Sequence, residues 1–211
     1  NMTHIALVDD ETNILTSVSL GLESEGFKVD TYLNGEEALA GLEKVKYDLG
    51  LFDIKMPRMN GNELLMRIRS SKNLELKNMP VIFLTSKDQE QDEIIGLKMG
   101  ASDYIKKPFS QKLLNERVRT VLRVHENRKI VDPDALKENK NLKKGYLVLD
   151  DLKQLCFWKD HVIDLTVAEF NLIKSLAKHP GVIKDRNQLM DTMYGDNIYV
   201  DDRTIDSHIK R

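Results

Sequence analysis

Five times in the first 125 residues, a short apolar run gives way to a stretch with helical spacing. That alternation limits the possible folds more than any other feature of the chain. The runs are His4–Val8, Lys28–Tyr32, Leu49–Phe52, Val81–Leu84 and Tyr104–Lys107. The stretches between and after them carry Ile14, Leu15, Val18 and Leu22, then Ala38, Leu39 and Leu42, then Leu64, Leu65 and Ile68. Ile94 and Leu97 follow, in a helix expected to stop at Gly100, and Leu113, Leu114, Val118, Val121 and Leu122 come last. Strand runs that alternate with amphipathic helices build a parallel sheet with helices on both faces. The expectation is an α/β fold with a five-stranded, doubly wound parallel sheet.

Between Glu126 and Lys144 this periodicity fails. Charged residues dominate around Asp132-Pro133-Asp134, which reads as a linker with a short helix near 135–139. The last third differs again. Gly145–Asp150, Leu155–Trp158 and Val162–Leu165 read as short antiparallel strands. Thr166 followed three residues later by Glu169 has the spacing of a capping box. The helix it opens carries Phe170, Ile173, Leu176 and Ala177 and stops at Pro180-Gly181. A short helix is expected near 187–193, and another begins at Asp201-Asp202. At 100° per residue, Thr204, Ser207, His208 and Arg211 share one face of that last helix, while Ile205 and Ile209 share another.

The function classes are narrowed by what is absent. No apolar stretch approaches the ~18 residues that span a bilayer, so no membrane partner and a cytoplasmic location are expected. Cys156 is the one cysteine, which fits a reducing compartment and a small buried apolar role. The formal net charge is −2 and the C-terminal part has no basic surplus, so nucleic-acid binding has to rest on local placement of charge.

In an open parallel sheet, chemistry gathers at the carboxyl ends of the strands. The residues there are Asp9, Asp10, Asp53, Thr85 and Lys107. Converging carboxylates need a cation, and a set of oxygen ligands suits Mg²⁺. A carboxylate beside the metal can act as nucleophile toward a phosphoryl donor. An ammonium and a hydroxyl can then stabilise the transferred group.

Val8–Glu11, Phe52–Gly61, Leu84–Ser86 and Gly100–Phe109 resemble the motifs of CheY-like receivers, over residues 3–124. The resemblance implies that Asp53 accepts a phosphoryl group from a sensor histidine kinase. It implies Mg²⁺ held by Asp10, Asp53 and the Lys55 carbonyl, with Asp9 acting through water. Lys107 and Thr85 would serve the transfer, the Lys107–Pro108 bond would be cis, and Thr85 with Tyr104 would form the switch. Leu165–Ile173, His179–Arg186 and Arg203–Arg211 are similar to the winged helix of OmpR/PhoB-type regulators. That implies a linker over 125–144 and a winged-helix α+β domain over 145–211 that lacks its C-terminal wing. Promoter DNA would be met by Arg203, Thr204, Ser207, His208, Lys210 and Arg211. Members of this family dimerise on phosphorylation, and Asp103 with Arg117 would form a charged pair across the homodimer. Met59-Asn60-Gly61 and Phe109–Leu114 are similar to an alphaproteobacterial branch serving the cell-envelope and host-acid response. The rival readings are a Mg²⁺-dependent phosphohydrolase and a relay whose last third binds protein.

Overall fold

A computed structural model describes residues 2–86, 100–129, 141–194 and Ile209. It divides into two compact units, residues 1–119 and 120–211. The first holds β1 (His4–Val8), α1 (Thr12–Glu23), β2 (Lys28–Tyr32), α2 (Gly35–Lys44) and β3 (Leu49–Asp53). After these come α3 (Gly61–Arg69), α4 (Leu74–Asn78), β4 (Val81–Thr85), β5 (Asp103–Lys106) and the start of α5 (Gln111–Lys129), within which the division at residue 119 falls. The five strands are parallel in the order β2-β1-β3-β4-β5.

Burial explains the sequence pattern. Every residue of β3 and β4 is buried, as a central strand covered on both faces requires. Edge strand β2 has only exposed and half-buried residues. The helices contribute Leu15, Val18, Leu22, Ala38, Leu42, Leu64, Leu65, Ile68, Leu114, Val118 and Val121 to the core, nearly the set read from helical spacing.

The second unit contains β6 (Leu142–Lys144), β7 (Leu147–Asp150), β8 (Leu155–Trp158) and β9 (His161–Ile163), then α6 (Val167–Lys178) and α7 (Arg186–Tyr194). The four strands form one antiparallel sheet. Lys159 and Asp160 turn β8 into β9 with positive φ at both positions, the conformation that fits a tight hairpin. Leu149, Cys156 and Phe170 form the core, with Leu142, Leu147, Leu165, Ile173 and Ala177 packed against it. The capping box is present. Thr166 Oγ1 accepts from the Glu169 N–H at 3.2 Å, and Glu169 Oε2 accepts from the Thr166 N–H at 2.9 Å.

The structure departs from the sequence reading at several points. Helix α5 runs to Lys129, into the expected linker, and β7 begins at Leu147 rather than Gly145. Leu142–Lys144, placed in the linker, is a strand paired with β7. It was missed because three residues are too few to show a period. The third expected strand ends at Ile163 rather than Leu165. Helix α4 was not expected. Its signal is Asn73, whose side chain accepts from Glu75 and Leu76 N–H groups. Leu176, read as part of the α6 stripe, is exposed. The helices expected around Ile94, near 135–139 and after Asp202 lie outside the described residues. Among the described residues, no helix is long and apolar enough to cross a membrane.

Replacing the helix cap tests the second unit. Thr166→Ala is expected to cost about 0.5–2 kcal/mol, by orphaning the Glu169 N–H. Urea denaturation followed through Trp158, the only tryptophan, would measure it; no shift in midpoint would mean that α6 does not depend on this cap.

Candidate functional site

Strand register assembles the site. Val8 pairs with Phe52 and Phe52 with Phe83, so Asp53, the last residue of β3, stands beside Asp9, the first residue after β1. Thr85 pairs with Lys106, which sets Lys107 one step beyond, where its N–H donates to the Thr85 carbonyl at 2.6 Å. Strands β1 and β3 are sheet neighbours, and the chain departs in opposite directions from them, to β2 and to β4. This is the switch point at which open α/β sheets place ligands.

Asp9, Asp10 and Asp53 each offer a carboxylate oxygen, all within 4.8 Å of one another. Asp9 and Asp53 are buried and Asp10 is exposed. Lys107 Nζ lies 2.8 Å from Asp9 Oδ2, 3.4 Å from Glu11 Oε1 and 3.5 Å from Asp53 Oδ1. Its nearest partner is therefore Asp9, not the expected acceptor Asp53. Thr85 is buried at the same edge, and the Lys107–Pro108 bond is cis. An oxygen-only set with both buried and solvent-facing members fits a small hard divalent cation.

Charge is under strain in this arrangement. Burial, followed by the Asp9 charge, pushes Asp53 up to about 7; Lys107 opposes this and Asp10 adds to it. Burial also raises Asp9, against its hydrogen bonds from Lys107 and Glu11. Burial disfavours the Lys107 ammonium, but Asp9, Asp53 and Glu11 outweigh it and hold its pKa above the usual range.

The loop after Asp53 is held by backbone. The Gly61 N–H donates to the Ile54 carbonyl at 2.8 Å. A Cβ at Gly61 would meet the Asp53 carbonyl oxygen at 2.4 Å, so only glycine allows this approach. Lys55 stands in that loop, two residues past Asp53. The sequence reading gave no role to Gly61 or Glu11, although both stand in its quoted motifs. Which backbone approaches which, and where Lys107 reaches, are tertiary facts.

Tyr104 is buried in β5, opposite Phe83. Asp103 and Arg117, expected to pair across a homodimer, are paired within the single chain. Arg117 Nη1 donates to Asp103 Oδ2 at 3.2 Å within one chain, and both residues are buried. Arg117 lies on α5, whose placement brings its guanidinium to Asp103 of β5. Asp103 Oδ1 also accepts from the Tyr104 N–H at 2.9 Å. Arg69, also unforeseen, donates to the carbonyls of Lys77, Met79 and Gly100 and ties the end of α3 to the segments beside it. Cys156 is buried and free, and burial pushes its thiol up. Arg203, Thr204, Ser207, His208, Lys210 and Arg211 lie outside the described residues.

A doubly wound sheet with an acidic, lysine-bearing carboxyl edge, followed by a small unit of one antiparallel sheet and helices, defines a receiver-containing regulator. The family model "Response regulator receiver domain" matches residues 5–119. The model "Transcriptional regulatory protein, C terminal" matches residues 160–211. The alkaline phosphatase synthesis transcriptional regulatory protein PhoP of Bacillus subtilis is 36% identical over 97% of this chain and 84% of its own length. The phosphate regulon transcriptional regulatory protein PhoB of Rhizobium meliloti is 36% identical over 98% of this chain and 87% of its own. Among solved structures, the Thermotoga maritima OmpR/PhoB homologue DrrB covers 100% of this chain and 87% of its own, at 28% identity and TM-score 0.52. The chain belongs to the OmpR/PhoB-type two-component response regulators, which control transcription. Relatives this scattered single out no branch, the alphaproteobacterial one included.

Two predictions follow from the charges. The folded state raises Asp53 from 3.8 to about 7, so it binds that proton more tightly than the unfolded chain does. Stability from this group is full below about 4 and is lost as pH rises to about 7. In metal-free buffer, Asp53→Asn should therefore match wild type near pH 4 and exceed it above pH 7, by on the order of 1–4 kcal/mol. Melting curves across pH would test this, and a difference that stays constant with pH would contradict it. Arg117→Ala should destabilise the receiver by about 3–5 kcal/mol, because it removes the counter-charge of a buried carboxylate. A loss below about 1 kcal/mol, by the usual measure for exposed pairs, would mean that the pair is already open in solution.

Proposed function

We propose that Asp53 accepts a phosphoryl group from a phosphohistidine of a partner sensor kinase, and that this controls dimerisation and promoter binding. The observation that carries the reading is the convergence of Asp9, Asp10 and Asp53 oxygens within 4.8 Å, with the Lys107 ammonium 3.5 Å from Asp53. In the transfer, an ionised Asp53 oxygen bonds to phosphorus while the phosphorus–nitrogen bond breaks. The electron pair of that bond leaves with the imidazole, which takes a proton from solvent.

Asp9, Asp10, Asp53 and the Lys55 carbonyl would hold Mg²⁺. When bound, the metal supplies positive charge that favours the ionised acid and the transferring oxygens. Lys107 offers a second cation to the same oxygens, and the Thr85 hydroxyl offers a hydrogen bond to the acyl phosphate. In the proposal Thr85 moves toward that group, and the Tyr104 ring responds. The chain catalyses only the transfer to itself and the hydrolysis of the resulting acyl phosphate to free carboxylate and inorganic phosphate, not turnover of a substrate.

The proposed organisation is a receiver over residues 3–124 and a DNA-binding domain from 145 to 211, acting in the cytoplasm, with the linker expected over 125–144 shortened by α5, which runs to Lys129, and by β6, which begins at Leu142. Arg203, Thr204, Ser207, His208, Lys210 and Arg211 present the polar face of the recognition helix to the major groove, an arrangement supported by their spacing after the capping box. Dimerisation belongs to the same proposal. In it, Asp103 and Arg117 can exchange partners between chains only after their intrachain pair opens.

Acetyl phosphate with Mg²⁺ should modify Asp53 alone, detected as one added phosphate by intact mass. Modification of Asp53→Ala, or equal modification with the metal chelated, would overturn the assignment. Arg211→Ala should cost about 1–3 kcal/mol of specific DNA binding, as loss of a bidentate base contact does, in a chain that continues through the wing. Unchanged affinity and base preference would put Arg211 outside the groove.

A further inference from the structure

We propose that Glu11 is a positioning residue: it shares the Lys107 ammonium with Asp9 and Asp53, drawing it toward the solvent side, and so sets how readily the site takes up a phosphoryl-like group. The inference rests on the phosphoacceptor reading of Asp53.

Three carboxylates compete for one ammonium. Lys107 Nζ is 2.8 Å from Asp9, 3.4 Å from Glu11 and 3.5 Å from Asp53. Lysine has three N–H donors and no other polar group, so an oxygen arriving on Asp53 has to draw the ammonium from its present partners. Two of those partners belong to the acidic cluster. Glu11 does not. Its side chain is 63% exposed, against 15% for Lys107 and 0% for Asp9, so it holds the ammonium from the solvent side.

The backbone of Glu11 is fixed for this task. Its N–H donates to Asp9 Oδ1 at 2.9 Å, while its carbonyl accepts from the Ile14 and Leu15 N–H groups that start α1. Glu11 is the N-cap of α1, the position where a short polar side chain folds back onto the first turn. Its side chain makes no capping bond and is turned to Lys107 instead. Asp9 is thus gripped on one oxygen by the Glu11 backbone and on the other by the lysine that the Glu11 side chain contacts.

The exposed carboxylate limits the effect to a modest size. At saturating Mg²⁺, Glu11→Gln in the full chain should bind beryllofluoride about two- to fivefold more tightly than wild type. In a Lys107→Ala background the same substitution should change nothing. Glu11→Asp keeps the charge but loses reach, and should behave as Glu11→Gln does. An unchanged or weaker affinity for Glu11→Gln overturns the proposal. So does an equal gain without Lys107, or wild-type behaviour of Glu11→Asp. Proton exchange of the Lys107 ammonium, followed by NMR without ligand, reads the contact directly: it should be faster in Glu11→Gln, and unchanged exchange is a second way for the proposal to fail. If wild type itself takes up no beryllofluoride, the phosphoacceptor reading fails, and the proposal with it.

Discussion

Mutual repulsion of carboxylates at one sheet edge is the constraint around which the first unit is built. Asp9, Asp10 and Asp53 would separate if they were free to do so. They stay together because the strands that deliver them are buried on both faces and paired in a fixed register. A slip of one residue would put Gly50 and Phe52 where Leu49 and Leu51 now pack, so the core enforces the crowding. Apolar packing of Leu7, Val8, Leu51 and Phe52 holds the acids in place against their charge.

That stress is left for a cation to relieve. Lys107 relieves part of it, which is why Asp53 still sits near 7 rather than in the usual carboxylate range. A site whose acids are unsatisfied at neutral pH favours whatever brings positive charge or removes negative charge. The same stress makes the edge responsive, since a change on Asp53 alters the balance of every partner of Lys107. Gly61 keeps the opposite wall close by letting backbone approach backbone.

The second unit is stabilised differently. Its sheet is small and its core rests on a few side chains around Phe170. Local devices therefore matter more: the capping box at Thr166, the hairpin turn at Lys159-Asp160, and the paired bonds between Asp185 and Gln188 that open α7. A unit of this kind can present one helix to a partner while the rest serves as its scaffold.

Much of this was legible in the sequence. Apolar runs and helical stripes are local, so strand order along the chain, the helix faces and the core could be read directly. The cap at Thr166 is a four-residue pattern, equally local. The acidic edge was legible because a parallel sheet puts all strand ends on one side, so Asp9, Asp10, Asp53, Thr85 and Lys107 could be named without coordinates. The three-residue strand at Leu142 was not legible, because so short a run has no period. Contacts between distant segments were not legible either. Asp103 meets Arg117 inside one chain because the placement of α5 brings the guanidinium to β5. Lys107 rests on Asp9 and Glu11 because a flexible four-carbon stem takes the nearest charge. Sequence determined which residues reach the edge, since alternation and burial are properties of neighbours along the chain. Only the tertiary structure decided which of them touch, since side-chain partners are chosen by distance in space.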